Sequence, residues 1–296
     1  MLVSIIVITY NSSRFVEETL ESVWHQTYQN LELIVSDDCS IDDTFRKCQL
    51  WAKNHMKRFN RIICTQTSHN GGICWNYNHA LKHACGKWIK FIAGDDILDC
   101  NCIENFINQI EPRCYLYSCD IICFNNATKE KHIVDRTGFV LPYCSARRQL
   151  YLMLRFRYDF GGQGLFVERE HLLDVGGFDE QFPMLEDYPL LMRFLTHGLC
   201  AKYIPEHWVT WRMHDDNVSG DGRCSQSLSD AIWHYSRHYC LRYGLALHLY
   251  HYWVDHWVLQ HSHKSNARLL WGYFFRVFDI VRWKRKFIHT PRSRRG

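Results

Sequence analysis

Leu2-Val3-Ser4-Ile5-Ile6-Val7-Ile8 is a near-continuous apolar, largely β-branched run that leads into Thr9-Tyr10-Asn11. Such a run suits a strand covered on both faces, and strands of that kind belong to parallel sheets flanked by helices. Asn11-Ser12-Ser13 can cap a helix from Arg14 to about Gln26, with Phe15, Leu20, Val23 and Trp24 as its apolar face. Leu31 to Ser36 reads as a second strand ending at Asp37-Asp38. Ser40-Ile41-Asp42-Asp43 opens the next helix, where acids suit the positive end of the dipole. Arg61 to Thr65 is a third strand, Asn70-Gly71-Gly72 the turn after it, and Trp75 to Ala84 a third helix. Trp88-Ile89-Lys90-Phe91-Ile92 is a fourth strand. Strand and helix alternate with short connections, which implies an α/β protein with a parallel sheet.

The fourth strand runs out through Ala93-Gly94 into Asp95-Asp96. Adjacent carboxylates at the end of a buried strand are unfavourable unless a cation neutralises them. Ligands of open α/β sheets bind at that end. A hard divalent cation, Mg²⁺ or Mn²⁺, prefers oxygen ligands and shares them with substrate phosphates, so the pair points to a metal-assisted nucleotide site. Taken alone, Gly94-Asp95-Asp96 reads as a solvated turn.

After Pro112 the pattern is less regular. Strands are expected near Ile121 to Asn125 and Gly164 to Glu168, and a helix from Tyr188 to Thr196 after Glu186-Asp187. From about Ser225 the chain reads as helical and rich in aromatics, His and Arg. With 296 residues, 47% of them hydrophobic, the chain can form one large domain, alone or with an appendage. The 14 cysteines match no zinc-ligand spacing and suggest no disulfide framework in so long a chain. Met1 to Ile8 is too short for a signal sequence and lacks a basic leader. The thiols are therefore expected as small core residues in a reducing cytoplasm. No stretch is long and apolar enough to span a membrane.

Six segments, in order, resemble the inverting glycosyltransferases of family 2. They are residues 3–11 (VSIIVITYN), 30–44 (NLELIVSDDCSIDDT), Asn70-Gly71-Gly72 with Asn78, 86–98 (GKWIKFIAGDDIL), 175–187 (VGGFDEQFPMLED) and 211–219 (WRMHDDNVS). The resemblance implies a GT-A fold: a Rossmann-like, nucleotide-sugar-binding α/β domain with a mostly parallel central sheet. It would span residues 1–220, with a nucleotide-binding half (1–111), an acceptor-binding half (112–220), and a C-terminal helical region (221–296).

By the same resemblance Thr9, Tyr10, Asn11, Asp38, Asn70, Gly71, Asn78, Asp95 and Arg212 would bind the donor, a UDP-sugar. Tyr10 would stack on uracil. Asp38, acceptor-only when ionised, would take its imide proton. Asp95, Asp96 and His214 would hold Mn²⁺ or Mg²⁺. Asp187 would be the base that deprotonates the acceptor hydroxyl, with Glu186 orienting it or touching the acceptor, and residues 177–180 shaping the acceptor side. Inversion of an α-linked donor gives a β-linked product. On spacing alone, Tyr10 would pack in the core, Asp38 would cap a helix, and Glu186-Asp187 would be the first acids of one. Two positions depart from the family pattern. Ala93 stands where the first acid of the metal motif is common, and Tyr77 where an Arg before Asn78 meets donor phosphates.

The formal charge is +4, and the basic residues concentrate after Lys264, where Asp279 is the only acid. Trp253, Trp257, Trp271, Tyr273, Phe274, Phe275, Phe278 and Trp283 lie in this last part. Aromatics mixed with Lys and Arg suit an anionic membrane surface. That fits a bacterial enzyme, cytoplasmic and peripheral on the inner face of the membrane. Its acceptor would be a polyprenyl-diphosphate-linked glycan of the O-antigen or capsule type. The other reading packs these aromatics onto the catalytic domain. No nucleic-acid recognition module accompanies the charge. A nucleotidyltransferase would show a Gly-rich, basic loop after the first strand, which Thr9-Tyr10-Asn11-Ser12 is not. A non-catalytic, membrane-associated relative remains open on Ala93 and Tyr77.

Overall fold

The computed structural model describes residues 1–133, 141–156, 160–215, 217, 226–242 and 253. The nucleotide half follows the expected alternation: β1 (Val3–Thr9), α1 (Val16–Trp24), β2 (Leu31–Asp37), α2 (Thr44–His55), β3 (Arg61–Gln66), α3 (Ile73–Leu81), β4 (Trp88–Ala93). Then come β5 (Ile97–Leu98), α4 (Cys102–Asn108), β6 (Cys114–Asn125), β7 (Lys131–Ile133), α5 (Ala146–Phe156), β8 (Phe166–Glu168), α6 (Arg169–Asp174), α7 (Asp187–Thr196), β9 (Cys200–Met213) and α8 (Gln226–Arg242).

All but one of the strands lie in the order β3-β2-β1-β4-β8-β6-β9-β5, with β7 paired to β6. The first four are parallel, in register Val3↔Leu31 and Val3↔Trp88. β8 runs against both β4 and β6, and β6 is parallel to β9. The apolar run of β1 is explained by what covers it. Ile6 and Ile8 face one core layer with Tyr77, Phe91, Phe178 and Leu190. Val3, Ile5 and Val7 face the other with Leu20, Val23, Phe106 and Phe166. Full burial of one such side chain is worth about 1.5–3 kcal/mol, so neither face tolerates a polar exchange. The six buried cysteines, including Cys48, Cys74 and Cys119, behave as small core residues, and the twelve cysteines whose side chains are described are free thiols.

Two local expectations need correction. No side chain caps α1. Instead Ser12 O accepts from the N–H groups of Phe15 and Val16, and Asn11 turns away with φ 50°. β9, the long strand beside β6, was not expected over its length, because Pro205 and three register shifts within its β6 pairing interrupt any alternation. Among the described residues no helix is long and apolar enough to cross a membrane.

Candidate active site

The carboxyl ends of β1, β2 and β4 form one corner. Its hub is Asp37, a fully buried carboxylate that the sequence reading passed over. It accepts from Thr9 Oγ1 (2.7 Å), Ser40 Oγ (2.6 Å), Ser40 N (2.8 Å) and Gln66 Nε2 (2.9 Å). The Thr9 hydroxyl, expected on the donor, is thus committed to fixing β1 against β2. Asn11 joins the same corner through Ser40 Oγ and the Ile41 N–H.

Asp38 fastens this corner to the turn after β3. Its Oδ1 accepts from Gly71 N (3.0 Å) and Thr67 Oγ1 (3.1 Å), and its Oδ2 from Gly72 N (2.8 Å). A carboxylate offers about four acceptor sites, so roughly one remains, on Oδ2. Gly72 has φ 86°, a left-handed conformation in which a side chain would be strained. Asn70 Oδ1 accepts from the same Gly72 N–H. Tyr10 does not pack in the core; it is 48% exposed at the end of β1. Asp38 itself is only 3% exposed, so the face this strand end offers a planar base is the Tyr10 ring.

Asp95 and His214 meet at the end of β4. His214 Nε2 lies 3.0 Å from Asp95 Oδ2, and the ring leans on Phe15 at 4.5 Å between centroids. Asn217, unmarked by the sequence reading, braces them: its Nδ2 reaches Arg212 O (3.0 Å) and Asp95 Oδ2 (3.4 Å). Asp96, expected beside Asp95 on a cation, is turned inward instead. It is 3% exposed, its Oδ1 accepts from Arg212 N at 3.0 Å, and burial, then the Asp95 charge, push its pKa well above the usual carboxylate range. Ala93 pairs with Ile8 in the sheet, so this corner presents Asp95 as its carboxylate.

Arg212 is a second correction. Expected at the donor diphosphate, its guanidinium is buried as a clamp. Nε donates to Asp95 O (2.8 Å), Nη1 to Asn126 Oδ1 (3.2 Å) and Nη2 to Glu18 Oε2 (2.5 Å). The rings of Phe15 and Phe124 lie 5.0 and 5.5 Å from its central carbon. Each of its three nitrogens donates within the protein.

No group of three or more His, Cys, Asp or Glu able to hold a metal occurs among the described residues. The Asp95–His214 pair nevertheless fits a divalent cation that draws its remaining ligands from phosphate oxygens and water, the usual habit of such ions in nucleotide sites.

Glu186 and Asp187 stand at the start of α7. Burial, and then the neighbouring Asp187, push the pKa of Glu186 up to about 8. Gly162 backs it so closely that a Cβ there would lie 2.4 Å from Glu186 Oε1. Asp187 Oδ1 accepts from the Tyr188 N–H at 2.7 Å.

The stretch leading to this pair is tied to α3. Cys74 Sγ donates to Phe182 O at 3.3 Å. Asn78 Nδ2 donates to Phe178 O (3.0 Å) and Glu180 Oε1 (2.7 Å), while its Oδ1 accepts from Phe178 N (2.9 Å). Asn78, expected on the donor, is therefore a clip on the turn at 177–180. Tyr77 does not replace the missing Arg chemically. It is buried, stacked on Phe178 at 4.9 Å and edge-on to Phe91 at 4.9 Å.

α8 covers the outer side of this stretch: Tyr239 is buried, and Phe182 touches His234, Tyr235, His238 and Tyr239. The first part of the aromatic C-terminal region thus packs on the domain. Trp253 is half-buried, and Trp257, Trp271, Tyr273, Phe274, Phe275, Phe278 and Trp283 lie outside the described residues.

The chain belongs to glycosyl transferase family 2: that family's profile matches residues 4–171, and the profile of glycosyl transferase family group 2 matches residues 88–289. It is 30% identical, over 74% of its length and 80% of the relative's, to the UDP-Glc:alpha-D-GlcNAc-diphosphoundecaprenol beta-1,3-glucosyltransferase WfaP of Escherichia coli. It is 31% identical, over 38% of its length and 36% of the relative's, to glycosyltransferase GlyG of Streptococcus pneumoniae. The fold is GT-A, like that of S. aureus TarS 1-349 in complex with UDP (TM-score 0.62, 18% identity, 89% of this chain and 74% of that one). The mannosyltransferase PcManGT of Pyrobaculum calidifontis, in complex with GDP-Man and Mn2+, also aligns (TM-score 0.54, 17% identity, 97% and 71%).

Proposed function

We propose that this glycosyltransferase moves a sugar from a UDP-sugar to a hydroxyl of a polyprenyl-diphosphate-linked glycan, with inversion, in bacterial surface-polysaccharide assembly. The observation that carries the reading is the connection just described. α3 starts at the Asp38–Gly72 turn and, through Cys74 and Asn78, holds the stretch that ends at Glu186-Asp187. Donor corner and carboxylate pair are thereby parts of one rigid frame.

In this reading Tyr10 stacks on the base, and the open lone pair of Asp38 Oδ2 accepts its imide proton. Asp95 and His214 would hold Mn²⁺ or Mg²⁺, whose charge would offset that of the donor diphosphate. Burial, and then the Asp187 charge, push the pKa of Glu186 up to about 8, so the pair holds a proton more readily than two isolated carboxyls would. The family motif gives the role of base to Asp187, with Glu186 orienting it. The acceptor oxygen attacks the anomeric carbon opposite UDP, its proton passes to Asp187, and the bond to the diphosphate oxygen breaks with its electron pair leaving on UDP. An α-linked donor then yields a β-linked product. The diphosphate-linked acceptor named for WfaP supports the lipid-linked substrate, and the basic residues after Lys264 would hold the protein peripherally on the inner face of the cytoplasmic membrane.

The test is a panel of UDP-glucose, UDP-galactose and their N-acetyl forms, assayed for hydrolysis and transfer with and without Mn²⁺. Turnover of none of them, alongside intact UDP binding, would point to a non-catalytic relative.

A further inference from the structure

β4 carries a charged residue where its neighbours are apolar. Lys90 is fully buried between the core residues Ile89 and Phe91. Its ammonium donates to Phe91 O (2.6 Å) and Gln163 O (2.8 Å), and burial draws its pKa below the usual lysine range. A buried amine satisfied only by carbonyls is costly where an apolar side chain of equal length would pack well, so its contact with Gln163 invites a role.

Gln163 belongs to a turn closed by Leu165 N donating to Gly162 O at 3.2 Å. The turn is held from two further sides. Ser118 Oγ donates to Gly161 O at 2.7 Å, and the backbone at Gly164 presses on Cys119, where a Cβ would lie 2.4 Å from Cys119 O. Its open side is Gly162, against Glu186 Oε1.

We propose that Lys90 is a positioning residue for the carboxylate pair: by gripping Gln163 O it fixes the 161–165 turn, which sets where Glu186, and Asp187 behind it, stand. The inference rests on the roles given above to Glu186 and Asp187. It also ties the pair to β4, the strand that ends at Asp95, so that both halves of the reaction centre share a reference point.

The test uses the full chain with Mn²⁺ and whichever UDP-sugar of the panel is hydrolysed fastest. Lys90→Met is expected to lower kcat about 10–100-fold, as sub-ångström to ångström misplacement does, with the donor KM and the UDP Kd held within about twofold. Amide exchange over residues 162–165 should accelerate. Ser4→Ala is the control for stability: it removes a buried hydroxyl bonded to Glu32 and Gly86 at the far end of the sheet, and should lower the melting temperature without moving either readout. If Lys90→Met does not fold, Ser118→Ala frees the same turn and should give the same split in kcat alone. An unchanged kcat in the folded variant, or a fall matched by Ser4→Ala at equal melting temperature, overturns the inference. Full turnover by Asp187→Asn would overturn the carboxylate assignment and this inference with it. An inactive Asp187→Asn beside a normal Lys90→Met would overturn the Lys90 inference alone.

Discussion

His214 Nε2 lies 3.0 Å from Asp95 Oδ2 across 119 residues of sequence. The strand that delivers the histidine also carries Arg212, whose Nε holds the Asp95 carbonyl at 2.8 Å. One strand thus sets both the backbone and the side-chain position of the acid. Asp95→Asn and His214→Ala should each weaken Mn²⁺-dependent UDP binding at least about tenfold, since a cation contributes several kcal/mol at such sites. UDP binding without metal should not change. Titration calorimetry with and without Mn²⁺ measures the difference; equal losses in both arms would remove the pair from metal binding.

Asp187→Asn should keep UDP affinity and lose roughly 10²–10⁴ in transfer rate, the usual worth of a general base. Steady-state kinetics beside UDP binding checks this.

Glu186 gives the pH dependence its sign. With its folded pKa raised to about 8, the neutral acid prevails below that value and the charged form above it. The rate should therefore fall as pH passes 8, and Glu186→Gln, neutral throughout, should lose that alkaline limb. Stability follows the same linkage: Glu186 favours the fold fully below its unfolded pKa, and that contribution is lost as pH rises through 8. Melting curves from pH 5 to 9 should show Glu186→Gln gaining on the parent chain toward the alkaline end.

Gly162→Ala places a methyl 2.4 Å from Glu186 Oε1. The carboxyl must shift, and kcat is expected to drop about 10²-fold with the donor KM unchanged. A normal kcat would show that the pair tolerates displacement.

Arg212→Met should act on stability. Its guanidinium is buried while its partner Glu18 is 58% exposed, so the loss is expected near about 3 kcal/mol, the low end for breaking a buried pair. Urea unfolding reports it. Donor KM should move little; a large KM effect with normal stability would return Arg212 to the diphosphate.

The parallel half of the fold is legible in the sequence because β1, β2 and β4 are buried on both faces and plain helical periodicity separates its strands. β9 is not, since pairing with β6 through shifted register leaves no alternation to count. Site residues divide the same way. Asp95 and His214 come within 3.0 Å of each other, and Glu186 and Asp187 open α7. Thr9, Asn78, Arg212 and Asp96 share the motifs but face inward, and a motif carries no information on which way a side chain turns. Asp37 carries no motif role of its own: it is the last residue of β2 and fully buried, and only its hydrogen bonds reveal it as a hub. Lys90 left a visible signal, a lone charge in an apolar strand, whose meaning needed the 161–165 turn.

Tyr77, wedged between Phe178 and Phe91, also bears on how this chain can change. An arginine introduced there alone would drive a guanidinium into an aromatic layer, which the interior resists strongly. Losses of bulk at Phe91 or Phe178 would have to accompany it, each harmful on its own. The position can therefore gain a cation only through coupled substitutions, not through one exchange.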